Sequence, residues 1–201
     1  MPCADESWVD QARACTLCAA HLPLGPRPVL QWHPQARILI AGQAPGRKVH
    51  ASGVPFDDAS GERLRAWLGI DKAVFYDPRQ VAILPMGFCY PGTGKSGDLP
   101  PRPECAPAWR APLVAGLRGL RLTLVLGQYA QAWHLPTPEG EAPQGVTESV
   151  QAWREHLHGE GPHTLPLPHP SPRNNLWLQR NPWFAQDVLP ALQVLVKAAL
   201  A

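Results

Sequence analysis

Short apolar runs alternate along the chain with segments of helical periodicity, and each run ends at a glycine or a proline. Runs of this kind are typical of strands that are buried on both faces of a parallel sheet. The four runs lie at residues 37–42, 81–84, 122–127 and 163–167. Apolar residues at helical spacing predict helices at 7–19, 61–68, 109–117, from Gln128 onward, and at 186–200. This alternation predicts an α/β fold, a three-layer α/β/α sandwich with a central, mainly parallel four-stranded sheet.

The residues that follow the four runs should lie close together. Gly42, Pro85, Gly127 and Pro168 stand at the ends of the predicted strands. Parallel strands end at one edge of a sheet, and open α/β sheets bind ligands in the crevice at that edge. We therefore expect the loops after these residues to line one crevice. The segment 85–103 contains too many glycines and prolines to be regular.

Length and composition restrict the class of protein. With 201 residues and 45% apolar content, the chain is expected to form a single domain over 1–201. Its 25 prolines are roughly twice the usual share of about 5% and indicate long ordered loops. A net charge of +2 decides little, because nucleic-acid binding needs only a local basic patch. With no membrane span or signal peptide indicated, we expect a soluble, cytoplasmic monomer.

Four of the five cysteines form two pairs around a glycine turn. Cys15 and Cys18 form a C-x-x-C pair, expected at the end of the first helix, and Cys89 and Cys105 flank the irregular loop. Four thiolates from two separated segments can hold zinc or a four-iron cluster. Buried free thiols are the structural alternative. Spacing alone does not separate zinc from a cluster.

A second group of candidates follows the first predicted strand. The turn Gly42–Gly46, with the sequence GQAPG, allows close backbone approach to a ligand, although a tight strand exit needs the same residues. Phe56 precedes a candidate helix-capping aspartate and is a candidate base-stacking platform. His50 is either a solvated loop residue or a proton donor. A local basic patch could comprise Arg47, Lys48, Arg63, Arg65 and Arg173, with scattered surface charges as the alternative for the two helix arginines.

The segment HPSPRN, residues 169–174, follows the fourth predicted strand. Its two prolines fix the backbone around Ser171, and His169 stands just beyond the strand. Ser171 and Arg173 are suitable phosphate partners, and Asn174 can cap a helix or form hydrogen bonds. A proline-rich turn without a ligand is the alternative.

These motifs, in this order, resemble the uracil-DNA glycosylase superfamily from about Ala14 to Leu195. The nearest group is the iron–sulfur type, family 4, which carries an N-terminal C-x-x-C, a G-E-x-P-G turn, a G-x-P-F segment, two further cysteines and an H-P motif. In this chain they fall at Cys15 and Cys18, Gly42–Gly46, Gly53–Phe56, Cys89, Cys105, and His169 with Pro170. The HPSPRN sequence itself is closer to the corresponding motif of the single-strand-selective monofunctional group.

The resemblance implies a DNA glycosylase that flips a damaged nucleotide out of the stack and cleaves its N-glycosidic bond with water. Phe56 would stack on the flipped base, and His169 would stabilise the negative charge on the departing base. The implied base contacts are Gly42, Ala44 and Pro85, and the implied DNA contacts are Ser171, Arg173 and Asn174. Cys15, Cys18, Cys89 and Cys105 would hold a 4Fe-4S cluster, with zinc as the alternative.

Two positions depart from the superfamily pattern. Family 4 has glutamate at the second position of the turn, where it positions the attacking water, and this chain has Gln43. The second strand normally ends with an asparagine that reads the edge of uracil, and this chain has Pro85. A charge-separated reaction would tolerate Gln43, because bond breaking then precedes the attack of water. His50, Asp57 or Asp58 could also substitute for the missing acid.

We therefore expect a monofunctional DNA glycosylase that acts on uracil or another deaminated base and initiates base excision repair. No lysine falls at a matched catalytic position, so no lyase step is expected. A catalytically weak or silent nucleic-acid-binding protein on the same fold is the first alternative, favoured by Gln43 and Pro85. A zinc-stapled α/β protein without a role on DNA is the second.

Overall fold

The central sheet has the predicted parallel topology. The structure, a computed structural model, describes residues 4–95, 97–135, 144–157 and 161–201, with side chains from Ser7 onward. The strands are β1 (Ile38–Ala41), β2 (Val81–Ile83), β3 (Thr93–Gly94), β4 (Gly97–Asp98), β5 (Leu122–Leu126) and β6 (His163–Leu167). Four of them form one parallel sheet in the order β2-β1-β5-β6. Strands β3 and β4 form a separate antiparallel pair.

Helices cover both faces of this sheet. They are α1 (Ala4–Arg13), α2 (Arg47–Ser52), α3 (Ala59–Leu68), α4 (Lys72–Phe75), α5 (Cys105–Ala115), α6 (Gln128–His134), α7 (Val146–Gln151), α8 (Asn175–Arg180) and α9 (Leu189–Leu200). A π-helical turn, Phe184–Val188, precedes α9. Within the described ranges, no helix is long and apolar enough to cross a membrane.

Strand β1 shows how the two faces divide the apolar residues. Ile38 and Ile40 pack in one cluster with residues of α3 and α9, such as Leu64. Leu39, between them, packs in a second cluster with residues of α1 and α5. Successive side chains of a strand point to opposite faces of its sheet. The predicted three-layer α/β/α sandwich is therefore confirmed.

Several predicted boundaries were wrong. Helix α1 ends at Arg13 rather than residue 19, because its buried stripe ends at Ala12 and the next buried side chain is Cys18. Helix α5 begins at Cys105 rather than residue 109. The polar stretch after the GQAPG turn contains α2, and the stretch 85–103, predicted to be irregular, contains the β3–β4 hairpin.

Candidate active site

One large cavity opens at the carboxyl edge of the sheet. Its volume is about 610 Å³, and Gly42, Pro85, Gly127 and Pro168 all contribute to its wall. These are the residues that follow the four parallel strands, so the structure places the strand ends together as the sequence predicted. Helices α2, α3 and α7 contribute further lining residues through their first turns.

Most of the predicted site residues line this cavity, and His50 does not. The lining includes Gly42, Gln43, Ala44, Phe56, Pro85, His169, Ser171, Arg173 and Asn174. His50 lies on α2, where its ring packs 6.1 Å from the ring of Tyr90 and its carbonyl accepts a hydrogen bond from Arg27 at 2.7 Å. Burial, with the charge of Arg27, lowers the pKa of His50. The structure therefore does not bring His50 to the predicted crevice.

His169 is held with one ring nitrogen already occupied. The backbone N–H of Ser171 donates to Nδ1 of His169 at 3.2 Å. Burial lowers the pKa of His169, although the carboxylates of Asp58 and Asp98 act in the opposite direction. The imidazole is therefore neutral at neutral pH. Because Nδ1 accepts a hydrogen bond, the single ring proton is on Nε2, which makes His169 a hydrogen-bond donor at that atom.

The HPSPRN segment is anchored from two sides. Asn174 Nδ2 donates to the carbonyl of His169 at 2.7 Å. Arg63 of α3 donates to the carbonyl of Ser171 at 3.1 Å and to Oδ1 of Asn175 at 2.7 Å. These bonds fix the loop that carries His169. Arg63 is therefore a structural support of this loop rather than a scattered surface charge.

Phe56 has a backbone conformation that other contacts must stabilise. It has a positive φ of 55°, which is uncommon for a bulky residue. Its carbonyl accepts hydrogen bonds from Tyr76 Oη at 3.3 Å and from Arg65 at 3.5 Å. A Cβ atom on Gly61 would overlap this carbonyl, so only glycine leaves room for it. The expectation that Arg65 is a surface or DNA-binding charge was wrong, because Arg65 is buried here.

The capping prediction is confirmed at the same loop. Asp58 is the N-cap of α3, and its Oδ1 accepts from the backbone N–H of Gly61 at 2.9 Å. The ring of Phe56 faces Gly42, since a Cβ atom there would lie 3.5 Å from Cζ of Phe56. The ring also packs edge-on against Phe75 at 6.1 Å. Phe56 thus forms one wall of the cavity next to the GQAPG turn.

Gln43 directs its side-chain amide to a neighbouring loop. Its Nε2 donates to the carbonyl of Leu99 at 3.0 Å. The backbone carbonyls of Gly42 and Gln43 accept from the amides of Met86 and Gly87 at 2.8 and 2.9 Å. The GQAPG turn is therefore tied both to the segment after β2 and to the segment after β4.

Pro85 is supported from below by a buried arginine that the sequence analysis missed. Arg110 of α5 is 2% exposed and donates to the carbonyls of Leu84 at 2.9 Å and Pro85 at 3.3 Å. Its Nε donates to Nε2 of His134 at 2.7 Å. Burial lowers the pKa of Arg110 to about 10, so the guanidinium stays charged at neutral pH. No sequence pattern marks this charge, which stands in an otherwise apolar helix.

Asp98 is the second residue that the sequence analysis missed. It lies in β4 and lines the cavity together with His169 and Gln43. A Cβ atom on Gly46 would be 3.3 Å from Oδ2 of Asp98, so this carboxylate packs against the end of the GQAPG turn. The available signal was a single acidic residue in the stretch 85–100, which follows a buried strand.

The cavity is lined by two basic and two acidic residues. Lys48 and Arg173 line it on the basic side, and Asp58 and Asp98 on the acidic side. Arg173 is exposed and lies against the β3–β4 hairpin, where a Cβ atom on Gly97 would overlap its guanidinium. Of the five residues of the predicted basic patch, Lys48 and Arg173 line the cavity, and Arg47, Arg63 and Arg65 do not.

The four predicted ligand cysteines lie around one small cavity, away from the large one. Cys15, Cys18, Cys89 and Cys105 are free thiols and all contribute to its wall. Cys15 and Cys18 follow α1 instead of ending it, and Cys105 is the first residue of α5. Trp109 Nε1 donates to Sγ of Cys15 at 3.2 Å, and the backbone N–H of Phe88 donates to Sγ of Cys105 at 3.4 Å.

The surroundings of three of these thiols oppose ionisation. Burial raises the pKa of Cys18, raises that of Cys89 to about 11 and raises that of Cys105 to about 12. A bound cationic group would stabilise the thiolates that burial disfavours. In the part of the chain that the structure describes, no three His, Cys, Asp or Glu side chains are arranged to hold a single metal ion. The shared cavity and the N–H donors to sulfur are nevertheless compatible with a larger group.

A comparison with known families gives one match over most of the chain. The model of the uracil DNA glycosylase superfamily matches residues 31–193. The match includes the whole central sheet and every residue of the large cavity named above. It begins after Cys15 and Cys18, so the first cysteine pair lies outside the matched residues.

Proposed function

The chain belongs to the uracil DNA glycosylase superfamily, and we propose that it is a monofunctional DNA glycosylase that removes uracil or another deaminated base. The observation that carries this proposal is the state of His169 in the large cavity. A neutral imidazole with its proton on Nε2 can donate a hydrogen bond from that atom to a base carbonyl. Such a donor stabilises negative charge on a leaving base.

The proposed reaction is hydrolysis of the N-glycosidic bond. As the bond between C1′ and the base nitrogen breaks, its electron pair passes to the base, and the hydrogen bond from His169 Nε2 strengthens. Water then forms the new bond to C1′ and releases a proton. Because bond breaking leads, the sugar becomes positively charged before water attacks, and Gln43 need not act as a base.

The base would be held between the strand ends. Phe56 offers a ring for stacking at the wall next to Gly42. Pro85 offers no side-chain hydrogen bond where the superfamily pattern has asparagine, and a lost bidentate contact reduces discrimination by about 1–3 kcal/mol. This difference supports a preference that extends beyond uracil to other deaminated bases. The backbone of Ala44 would complete the base contacts.

DNA would be held by the HPSPRN segment. Ser171 and Arg173 line the cavity and would contact phosphates, and Asn174 fixes the backbone of His169. Lys48 adds a second positive charge at the same cavity. We propose damaged DNA as the partner and a monomer as the working form.

We also propose that the four cysteines hold a 4Fe-4S cluster, as in the family 4 group that the chain resembles. Four free thiols around one cavity and two N–H donors to sulfur support this choice. A single zinc ion also binds four thiolates, at about 2.3 Å, but among the described residues no three His, Cys, Asp or Glu side chains are arranged to hold one metal ion. When bound, the cluster would cross-link the segment after α1 to the segment after β2 and to α5.

The first experiment measures base release from end-labelled oligonucleotides that contain uracil, hypoxanthine or xanthine, as single and double strands. Abasic sites are revealed by alkali. We expect release of at least one base, and His169→Ala should reduce the rate by about 10²–10³-fold, as for loss of an oxyanion donor. His163→Gln is the matched control, because His163 is exposed at the opposite end of β6.

The outcomes separate the candidate functions. Release of purine bases alone would mean that the pocket has been re-specified. Strand cleavage without alkali would contradict the monofunctional assignment and direct attention to Lys48. No release from any substrate by protein with its cluster would favour a catalytically silent nucleic-acid-binding protein, the reading that Gln43 and Pro85 support.

A further inference from the structure

The glycine turn of the cavity carries no acidic residue, and a different segment of the chain supplies one. Gln43 occupies the position where the resembled family 4 has glutamate, and a neutral amide cannot accept a proton from water. Asp98 reaches the same cavity from β4, more than fifty positions further along the chain. Its Oδ2 lies against the end of the turn, 3.3 Å from where a Cβ atom of Gly46 would stand.

The hairpin and the turn hold Asp98 in place. Gln43 Nε2 donates to the carbonyl of Leu99, the residue directly after Asp98. On the other side, Thr93 Oγ1 donates to Oδ1 of Asp98 at 3.4 Å, and the same hydroxyl lies 2.5 Å from Oη of Tyr90. Thr93 therefore orients the carboxylate itself, and Gln43 fixes the backbone directly after it. Gln43 serves this arrangement as a structural residue.

The carboxylate is also free to act on a ligand. Within the described residues, Asp98 forms no ion pair, and its side chain is exposed at the cavity. The other acidic residue of the cavity, Asp58, is half-buried and caps α3 through the backbone N–H of Gly61, whereas Asp98 is exposed and caps no helix. Asp98 also lies near enough to His169 to raise the pKa of that imidazole against the effect of burial.

We propose that Asp98 is the catalytic carboxylate of this chain, which faces the sugar, balances the positive charge that develops there and accepts the proton of the attacking water. The inference rests on the proposed glycosylase function. The bond from C1′ to the base breaks first and its electron pair leaves with the base; the bond from water oxygen to C1′ then forms. The water proton passes to Asp98 and then to solvent, and the base anion takes a proton from solvent.

The first test compares excision by the wild type, Asp98→Asn and the control Asp187→Asn. Asp187 is an exposed acid in the π-helical turn before α9 and does not line the cavity. Asparagine keeps the size of the side chain and cannot accept the proton. We expect the single-turnover rate of Asp98→Asn to fall by about 10²-fold or more, and the control to keep the wild-type rate. An unchanged rate for Asp98→Asn in folded protein would overturn the proposal.

The second test does not require excision. Binding is measured for two DNA oligonucleotides, one with a neutral tetrahydrofuran abasic site and one with a cationic pyrrolidine in its place. The wild type should bind the cationic site at least about tenfold more tightly, and Asp98→Asn should lose this preference. A wild type without the preference, or an Asp98→Asn variant that retains it, would overturn the proposal. If no base is released but the preference depends on Asp98, the glycosylase function fails while the carboxylate is shown to face the sugar.

Discussion

Arg110 Nε donates a 2.7 Å hydrogen bond to His134 Nε2 beneath the two residues that follow strand β2. The imidazole must be neutral to accept this bond, and burial together with the charge of Arg110 lowers the pKa of His134 to about 3. A second nitrogen of the same guanidinium, Nη1, donates to the carbonyls of Leu84 and Pro85. The pair thus links protonation of a distant histidine to the floor of the cavity.

This pair predicts a loss of stability in mild acid. In the unfolded chain His134 has its ordinary pKa of about 6.5 and is protonated below that pH. In the folded protein its pKa is about 3, so it stays neutral until the pH falls to about 3. The free energy of unfolding therefore falls as the pH is lowered through this window. At pH 5 the titration of His134 lowers the free energy of unfolding by about 2 kcal/mol relative to neutral pH. Urea unfolding at pH 7.5 and pH 5 measures the change.

The variant His134→Gln isolates this contribution. Glutamine keeps an acceptor for Arg110 and does not titrate, so the unfolding free energy should depend less steeply on pH. His50, His156 and His169 also have a lowered pKa, so part of the slope should remain. The same slope in the variant and the wild type would show that His134 is not the titrating group.

Gly61→Ala should damage the cavity although it favours the helix. Alanine is a better helix former than glycine by up to about 1 kcal/mol. Here the added methyl group would overlap the carbonyl of Phe56, so we expect a net destabilisation of about 1–3 kcal/mol. We also expect slower base release, since Phe56 must move.

Glu62→Ala is the matched control for this substitution. Glu62 is the next residue of α3 and is exposed, so its replacement should leave both the melting temperature and the excision rate nearly unchanged. Equal stability of Gly61→Ala and the wild type would mean that the Phe56 loop can relax without cost.

Arg63→Ala should loosen the HPSPRN segment. The substitution removes the hydrogen bonds to the carbonyl of Ser171 and to Asn175. Charge-assisted bonds of this kind are worth about 1.5–3 kcal/mol each when buried and less at the surface. We expect kcat/KM for base release to fall about tenfold, with partial recovery in Arg63→Lys.

Arg79→Ala serves as its control. Arg79 is exposed and precedes β2, at the edge of the sheet opposite the cavity. Its replacement should leave kcat/KM unchanged. A similar loss in both variants would assign the effect to net charge instead of to the anchoring of Ser171.

Replacing a predicted ligand cysteine should remove the cluster. Cys18→Ser and Cys105→Ser should lose the visible absorbance and the iron of the wild-type protein and should unfold at a lower temperature. Cys3→Ser, at the one cysteine outside the predicted ligand set, should keep both. Zinc in place of iron in protein purified without oxygen, or equal iron content in all three variants, would contradict the assignment.

The sequence predicted the sheet well because its strands are buried. The run at β5 is apolar except for Thr123, and β6 ends in three buried residues, 165–167; the structure places both strands within one residue of the prediction. Helix α2 was missed because Arg47–Ser52 carries a single buried residue, Val49, and so has no periodic pattern. Two-residue strands such as β3 are too short to produce any pattern.

The site was predictable where it depends on strand ends and not where it depends on long-range contacts. His169 and Gln43 stand directly after strands, so their meeting follows from topology alone. Arg110 has partners at Leu84 and His134, both about two dozen residues away, and local pattern cannot show them. His50 was misplaced because α2, unrecognised in the sequence, carries it away from the cavity.

Helix α3 contacts both loops that flank the opening of the cavity. Arg65 and Gly61 fix the carbonyl of Phe56 on one side, and Arg63 fixes the carbonyl of Ser171 on the other. The distance between these two loops is therefore set by one helix of ten residues. In the proposed glycosylase, an entrance of constant width would select flipped nucleotides by their dimensions before any hydrogen bond to the base is formed.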